Sequence, residues 1–161
     1  MNINNNYRKD SILKIAIGSD HVGFNYKEEI KNYILEQGLD IKDYGCFSKE
    51  SVDYPIIAIQ VGKAILNNEC NRGILICGTG VGMCIAANKI NNIRGVVCSE
   101  PYSAKLSRSH NDTNILALGS RVVGLELAKM IIDVWLAEPF MGERHSRRLE
   151  IIKQIEISNP L

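Results

Sequence analysis

No stretch of this sequence approaches the roughly 18 consecutive apolar residues that a membrane-spanning helix needs, which argues against an integral membrane protein. An excess of one charge is missing too. Nineteen Lys and Arg stand against 18 Asp and Glu, a formal net charge of +1. No global field therefore draws the chain to nucleic acid or to an anionic surface, and any anion specificity must come from local groups. The five cysteines, Cys46, Cys70, Cys77, Cys84 and Cys98, are odd in number and contain no Cys-x-x-Cys pair. A disulfide framework or a zinc site is not expected, and reduced thiols in a cytoplasm are the default. Residues 1–9 are polar and Asn-rich, without the apolar block of a signal peptide. Residues 1–12 read as a loosely ordered extension ahead of one domain over 13–161.

What is present is the composition of an ordinary globular protein, with 45% apolar and 23% charged residues in 161. That length is enough to enclose one core. Short β-rich runs predict strands over 13–18, 39–43, 73–77, 95–98 and 115–118. Amphipathic stretches between them predict helices over 24–36, 54–67, 83–90, 102–109 and 125–135. A last helix is expected over 144–157, where Leu149, Ile152 and Ile155 recur at helical spacing. Runs such as Ile74-Leu75-Ile76-Cys77 are apolar throughout, as in strands covered on both faces. This alternation predicts a Rossmann-like α/β/α sandwich with a five-stranded parallel sheet and a C-terminal helix. Ligands of such sheets bind outside the C-terminal ends of the strands, and the polar and glycine-rich signals fall there.

The first strand leads into Asp20-His21, which either opens a helix as a cap or forms an acid–base pair facing a substrate. The third leads into Gly78-Thr79-Gly80-Val81-Gly82. Glycines at alternate positions let successive N–H groups converge on an anion, and the following helix adds its own unpaired N–H groups. No Gly-Lys-Ser/Thr follows, so this is not a Walker loop, and Met83 stands where a GxGxxG motif needs its last glycine. A dinucleotide reading keeps one point, Glu100 just past the next strand, where a ribose-binding acid would sit. Cys77 opens the glycine turn and is a candidate base or nucleophile, or else a packed core thiol like Cys84. His110 is either a general acid–base or a solvated turn residue. Arg144 and Arg148, four apart on one helical face, suit a phosphate or are simply a solvated face.

Together, Gly18-Ser19-Asp20-His21, Ile76 through Gly82, Ala86-Ala87-Asn88-Lys89, Ser99 through Ala104, His110 through Asn114 and Gly119-Ser120-Arg121 resemble the ribose-5-phosphate isomerase B family. Galactose-6-phosphate isomerase subunits and allose-6-phosphate isomerases also belong to it. The resemblance runs from Lys14 to about Ile157 and implies an aldose–ketose isomerase of the pentose phosphate pathway. It implies that Cys77 is the base that shuttles a proton between two sugar carbons, with Thr79 among the catalytic residues. It implies that His110 opens the furanose ring while Asp20 assists at the hydroxyls. Gly78, Thr79, Gly80, Val81 and Gly82 match the turn that stabilises the enediolate. His21, Arg144 and Arg148 match the phosphate end, and Asn111 and Arg121 match further substrate-binding positions. Some members use a glutamate base at the position of Met83; this chain has Cys77 instead.

The family resemblance further implies a homodimer, or a dimer of dimers, with His110, Asn111 and Arg121 reaching the site from the partner subunit. It implies a reaction without metal or cofactor, since backbone N–H donors can carry the enediolate charge. The open alternatives are a six-carbon sugar phosphate as substrate and, outside catalysis, a sugar-phosphate-binding module.

Overall fold

The structure is a computed structural model that describes residues 13–158; the extension expected over residues 1–12 lies outside the described residues. Five parallel strands, β1 (Lys14–Ser19), β2 (Asp40–Asp43), β3 (Arg72–Cys77), β4 (Gly95–Val97) and β5 (Ile115–Gly119), form one sheet in the order β2-β1-β3-β5-β4. Six helices alternate with or follow them: α1 (Phe24–Glu36), α2 (Tyr54–Leu66), α3 (Val81–Ala87), α4 (Pro101–Asn111), α5 (Leu125–Ala137) and α6 (Arg144–Ser158). The expected five-stranded parallel α/β/α sandwich is the observed one.

The pleat sorts the apolar runs into two cores. Ile15, Ile17, Ile74, Ile76, Leu116 and Leu118 face Ile30, Ala104, Ile131 and the fully buried Trp135 on the side of α1, α4 and α5. Ala16, Leu75, Cys77, Ile115 and Ala117 face Ile57, Val61, Met83 and Ala87 on the side of α2 and α3. A run apolar throughout is what a strand covered on both faces requires. Each large side chain so buried contributes roughly 1.5–3 kcal/mol of transfer free energy. Trp135 keeps its polar edge satisfied, because Nε1 donates to Thr113 Oγ1 at 2.9 Å.

Several boundaries differ from expectation by one to three residues, and two of the differences have a plain physical cause. Helix α3 begins at Val81, two residues ahead of the expected start, because Gly80 takes a left-handed φ of +81° and completes the turn itself. Helix α4 begins at Pro101, since the Glu100 carboxylate caps it by accepting the N–H groups of Tyr102 at 2.5 Å and Ser103 at 2.8 Å. That employment of Glu100 removes the feature that favoured a dinucleotide. Helix α6 packs on α4, holds the segment before β4 through Glu156, which accepts Asn92 N–H at 3.0 Å, and leaves Ile151, Ile152, Ile155 and Ile157 exposed.

Candidate active site

The winding of the sheet reverses between β1 and β3. The loop after β1 leads to the β2 side, and the loop after β3 leads to the side of β5 and β4. Both loops leave from the C-terminal edge, the place where sheets of this kind take their ligands. Cys77 closes β3, paired with Gly119 at the end of β5. Its Sγ accepts the N–H of Gly80 at 3.1 Å. The turn is braced from β5: Ser120 gives both its N–H and its hydroxyl to the Cys77 carbonyl, at 2.8 and 3.2 Å. Arg121 N–H bonds the Gly78 carbonyl at 3.1 Å. Gly119 has no room for a side chain, since a Cβ there would lie 2.8 Å from the Thr79 carbonyl. Thr79 Oγ1 accepts the N–H of Val81 at 3.3 Å, which ties the turn to the first residue of α3.

Cys77 is 6% exposed. Burial pushes the Cys70 and Cys84 thiols above their usual range and takes Cys98 to about 12. Those three sulfurs are packing atoms. Cys46 donates to the Ser48 carbonyl at 3.2 Å, in the loop after β2.

Asp20 sits beside this turn, buried, with its N–H on the Ile76 carbonyl at 3.0 Å and its Oδ1 accepting Gly23 N–H at 2.8 Å. The N-cap of α1 is Gly23, so Asp20 fastens the tight turn before the helix instead of capping it. His21 Nδ1 accepts Val52 N–H at 3.4 Å, which puts the proton of the neutral ring on Nε2. Val52 belongs to the loop after β2, stitched to β1 by Ser19 N–H to the Gly45 carbonyl and Cys46 N–H to the Ser19 carbonyl, at 2.6 and 2.7 Å. The same loop is anchored below by Lys27. Its Nζ is fully buried and bonds both Asp43 oxygens at 2.7 and 2.6 Å, while Asp43 Oδ1 also accepts Gly45 N–H at 2.9 Å.

His110 and Asn111 lie at the other end of the sheet. They form the last turn of α4, which runs antiparallel to the strands and ends where β5 begins. Arg94, just ahead of β4, binds the carbonyls of Asn111 and Asp112 through Nε, both at 3.0 Å. With about 3.3 Å of rise per residue, the five residues of β5 separate the two ends by about 13 Å. At this lower end His110 stacks on His145, with ring centroids 4.3 Å apart and planes 7° from parallel. Arg144 Nε donates to His145 Nε2 at 3.4 Å, and Arg148 lies one turn further along α6, exposed.

The expected site is thus divided within one chain. Asp20, His21, Cys77 and the whole of Gly78 through Gly82 gather at the C-terminal edge of the sheet. His110, Asn111, Arg144 and Arg148 gather at the opposite edge. Arg121 departs from its expected grouping: its Cδ and Nε lie 3.7 and 3.8 Å from where a Gly78 Cβ would be, against the turn of its own chain. Residue 121 directly follows β5, so connectivity alone ties it to the end of the sheet that carries Cys77.

Comparison with known proteins decides the family. The profile described as Ribose/Galactose Isomerase matches residues 15–152. The chain belongs to the ribose/galactose isomerase family. It is 60% identical over 143 residues to ribose-5-phosphate isomerase B of Escherichia coli, covering 89% of this chain and 96% of that one. It is 42% identical over 146 residues to a D-erythrulose-4-phosphate isomerase of Pectobacterium atrosepticum, covering 90% of this chain and 96% of the relative. Among solved structures, ribose-5-phosphate isomerase B of Clostridium thermocellum superposes with a TM-score of 0.90 at 51% identity, covering 91% of this chain and 99% of that one.

Within this family fold, three groups near the two ends escaped the sequence reading. Tyr54 opens α2 and lays its ring on the glycine turn; a Cβ on Gly82 would lie 2.8 Å from Tyr54 Cζ. Its only sequence signal is the Asp-Tyr-Pro helix start. Ser120 carried a signal in Gly-Ser-Arg, read there for its arginine alone. His145, flanked by arginines, shows its use only once the His110 ring is seen upon it.

Proposed function

We propose that this protein is a ribose-5-phosphate isomerase that interconverts ribose 5-phosphate and ribulose 5-phosphate through a cis-enediolate with Cys77 as the base. The observation that carries the base assignment is the Gly80 N–H on Cys77 Sγ at 3.1 Å, inside the glycine turn. An aldose–ketose isomerisation needs one base on one face of the sugar, taking the C2 proton and returning it to C1. Negative charge then appears on the substrate oxygens, and the N–H groups of the glycine turn, apart from those of Gly80 and Val81 that bond Cys77 Sγ and Thr79 Oγ1, are the donors available to it. A preaimed donor of this kind is worth roughly 3 kcal/mol in the transition state. Asp20 steadies the hydroxyls.

Ring opening needs a second proton-transfer group, and His110 is the candidate, with Asn111 beside it. Arg144 and Arg148 offer forked donors for the phosphate, and His21 offers its Nε2 proton. Since the Cys77 and His110 ends lie about 13 Å apart along β5 in one chain, they act together when two copies pair about a two-fold axis. Each copy then lends its lower end to the other's glycine turn. The assembly is a homodimer, or a dimer of dimers, with two sites at the subunit interface. The reduced thiols suit a cytoplasmic enzyme.

Among the described residues no group of three or more His, Cys, Asp or Glu side chains could hold a metal ion, and no helix is long and apolar enough to cross a membrane. Metal independence is part of the proposal and is tested with EDTA. The relative that acts on D-erythrulose 4-phosphate shows that chain length of the sugar varies among similar proteins. Four- and six-carbon phosphates are therefore the competing substrates.

The test is ribulose 5-phosphate formation from ribose 5-phosphate with EDTA present, comparing the wild type with Cys77→Ser. Turnover that falls at least about a hundredfold in the variant, with KM held, supports substrate and base together. Turnover retained by Cys77→Ser rejects the thiol base. An inactive wild type transfers the proposal to the other sugar phosphates, or to a binding module if those also fail.

A further inference from the structure

The isomerase mechanism above does not use His145, yet it is the buried residue of α6, 3% exposed. The chain spends several unusual features on bringing it to His110. Met141 N–H bonds the carbonyl of Ser109, the residue before His110, at 3.0 Å. Gly142 and Glu143 then turn the chain with φ of +68° and +48°, the second being a left-handed value on a residue that bears a side chain. His145 N–H closes on the Gly142 carbonyl at 2.9 Å. The result is the near-parallel ring stack at 4.3 Å. Arg144 Nε on His145 Nε2 assigns the proton of the neutral ring to Nδ1. Burial first, then the positive neighbours His110, Arg144 and Arg148, with only Glu143 opposing, hold His145 below the ordinary histidine value. Its ring is thereby biased towards the neutral form.

His110 is half-buried at a helix end, and the second side-chain torsion of a histidine has broad wells. An imidazole so placed would sample orientations that a flat neighbour removes. We propose that His145 is a positioning residue, whose ring face holds the His110 imidazole in the orientation that ring opening requires. This rests on the isomerase reading and adds to it a residue that acts through His110 without touching the sugar. The stack belongs to one chain, so His110 is oriented before a partner chain or a substrate arrives.

The experiment separates ring opening from proton transfer at carbon. Ribulose 5-phosphate has its carbonyl at C2 and its C5 oxygen esterified, so it cannot close a furanose ring. In D2O its C1 proton passes to the base, exchanges with solvent and is replaced by deuterium, a cycle that needs Cys77 and no ring opening. The variants are His145→Ala, which removes the platform, and His145→Phe, which keeps a flat ring of similar size. The expected result is that His145→Ala lowers kcat from ribose 5-phosphate about tenfold to a hundredfold. Deuterium exchange into ribulose 5-phosphate stays within about twofold of wild type, and His145→Phe recovers most of the lost turnover. A parallel fall in both reactions overturns the proposal, as does a His145→Phe variant that folds and does no better than His145→Ala. A wild type without exchange or turnover fails the isomerase reading itself and removes this proposal with it, an outcome read before any variant is made.

Discussion

The N–H of Gly80 points at the sulfur of Cys77 across 3.1 Å, and Gly80 can do so because it sits at φ +81°. A side chain there meets two obstacles. The left-handed conformation costs an L-residue about 1–2 kcal/mol, and a Cβ would stand 3.0 Å from the Leu118 carbonyl carbon. Gly80→Ala is therefore expected to lower stability by at least that amount. Relief of the contact also turns the N–H away from the sulfur and opens the anion-binding turn, lowering kcat by about a hundredfold. Urea midpoints and initial rates check the two parts, and a variant with wild-type kcat would show that this N–H is not part of the chemistry.

The division of the site between the two ends of the sheet makes a prediction that no single-chain site shares. In the two-fold assembly proposed above, Cys77→Ser spoils the upper end of a chain and His110→Asn the lower, and each variant by itself is expected to be nearly inactive. After unfolding and refolding as an equimolar mixture, random pairing makes half of the dimers mixed, each with one intact site of two. About a quarter of the wild-type activity should return. If each chain held a complete site of its own, mixing would restore nothing.

The fold was legible because the strands are covered on both faces, so Ile74 through Cys77 and Ile115 through Leu118 read as apolar throughout and the helices between them as amphipathic. The start of α3 was misjudged by two residues because its cause is a backbone torsion at Gly80, which no periodicity expresses. Residues tied to strand ends, such as Asp20 and Cys77, could be ordered from sequence because connectivity alone puts them there. The grouping of Tyr54 with Gly82 and of His145 with His110 depends on how loops fold back, over separations of 28 and 35 residues. Sequence spacing carries no information of that kind.

The anchor beneath the loop after β2 is a matter of stability. Lys27 is fully buried, over the Phe47 ring at 5.1 Å and bonded to Asp43 and Glu28. Burial alone would raise the Asp43 carboxyl, but the bonds from Lys27, Gly45 N–H and Lys31 outweigh it and hold the group below 3.8. Replacing Asp43 by alanine leaves a buried ammonium with one half-exposed partner, a situation that costs about 3–5 kcal/mol. It also frees Gly45 N–H, so His21 loses the fixed loop that bonds its Nδ1. Asp43→Ala should lower the unfolding free energy measured in urea by that amount and raise KM for the sugar phosphate more than it lowers kcat. A loss under about 1 kcal/mol would mean that Lys31 and Glu28 suffice.

His145 gives the protein a pH dependence in a window of its own. Its folded value lies below 6.5, chiefly through burial and then through the charges around it. Below pH 6.5 the unfolded chain takes up a proton on this residue that the folded chain does not. The ionisation therefore costs nothing above pH 6.5, and stability is lost as pH falls from there through the folded value. Asp43, also held low, follows the same sign but acts below 3.8, where it leaves the histidine window undisturbed. Unfolding free energies of wild type and His145→Phe at pH 7.5 and 5.5 measure the effect. The wild type should lose stability between the two, and the variant should lose less. Equal losses would mean that the His145 ring accepts its proton as readily in the fold as in the unfolded chain.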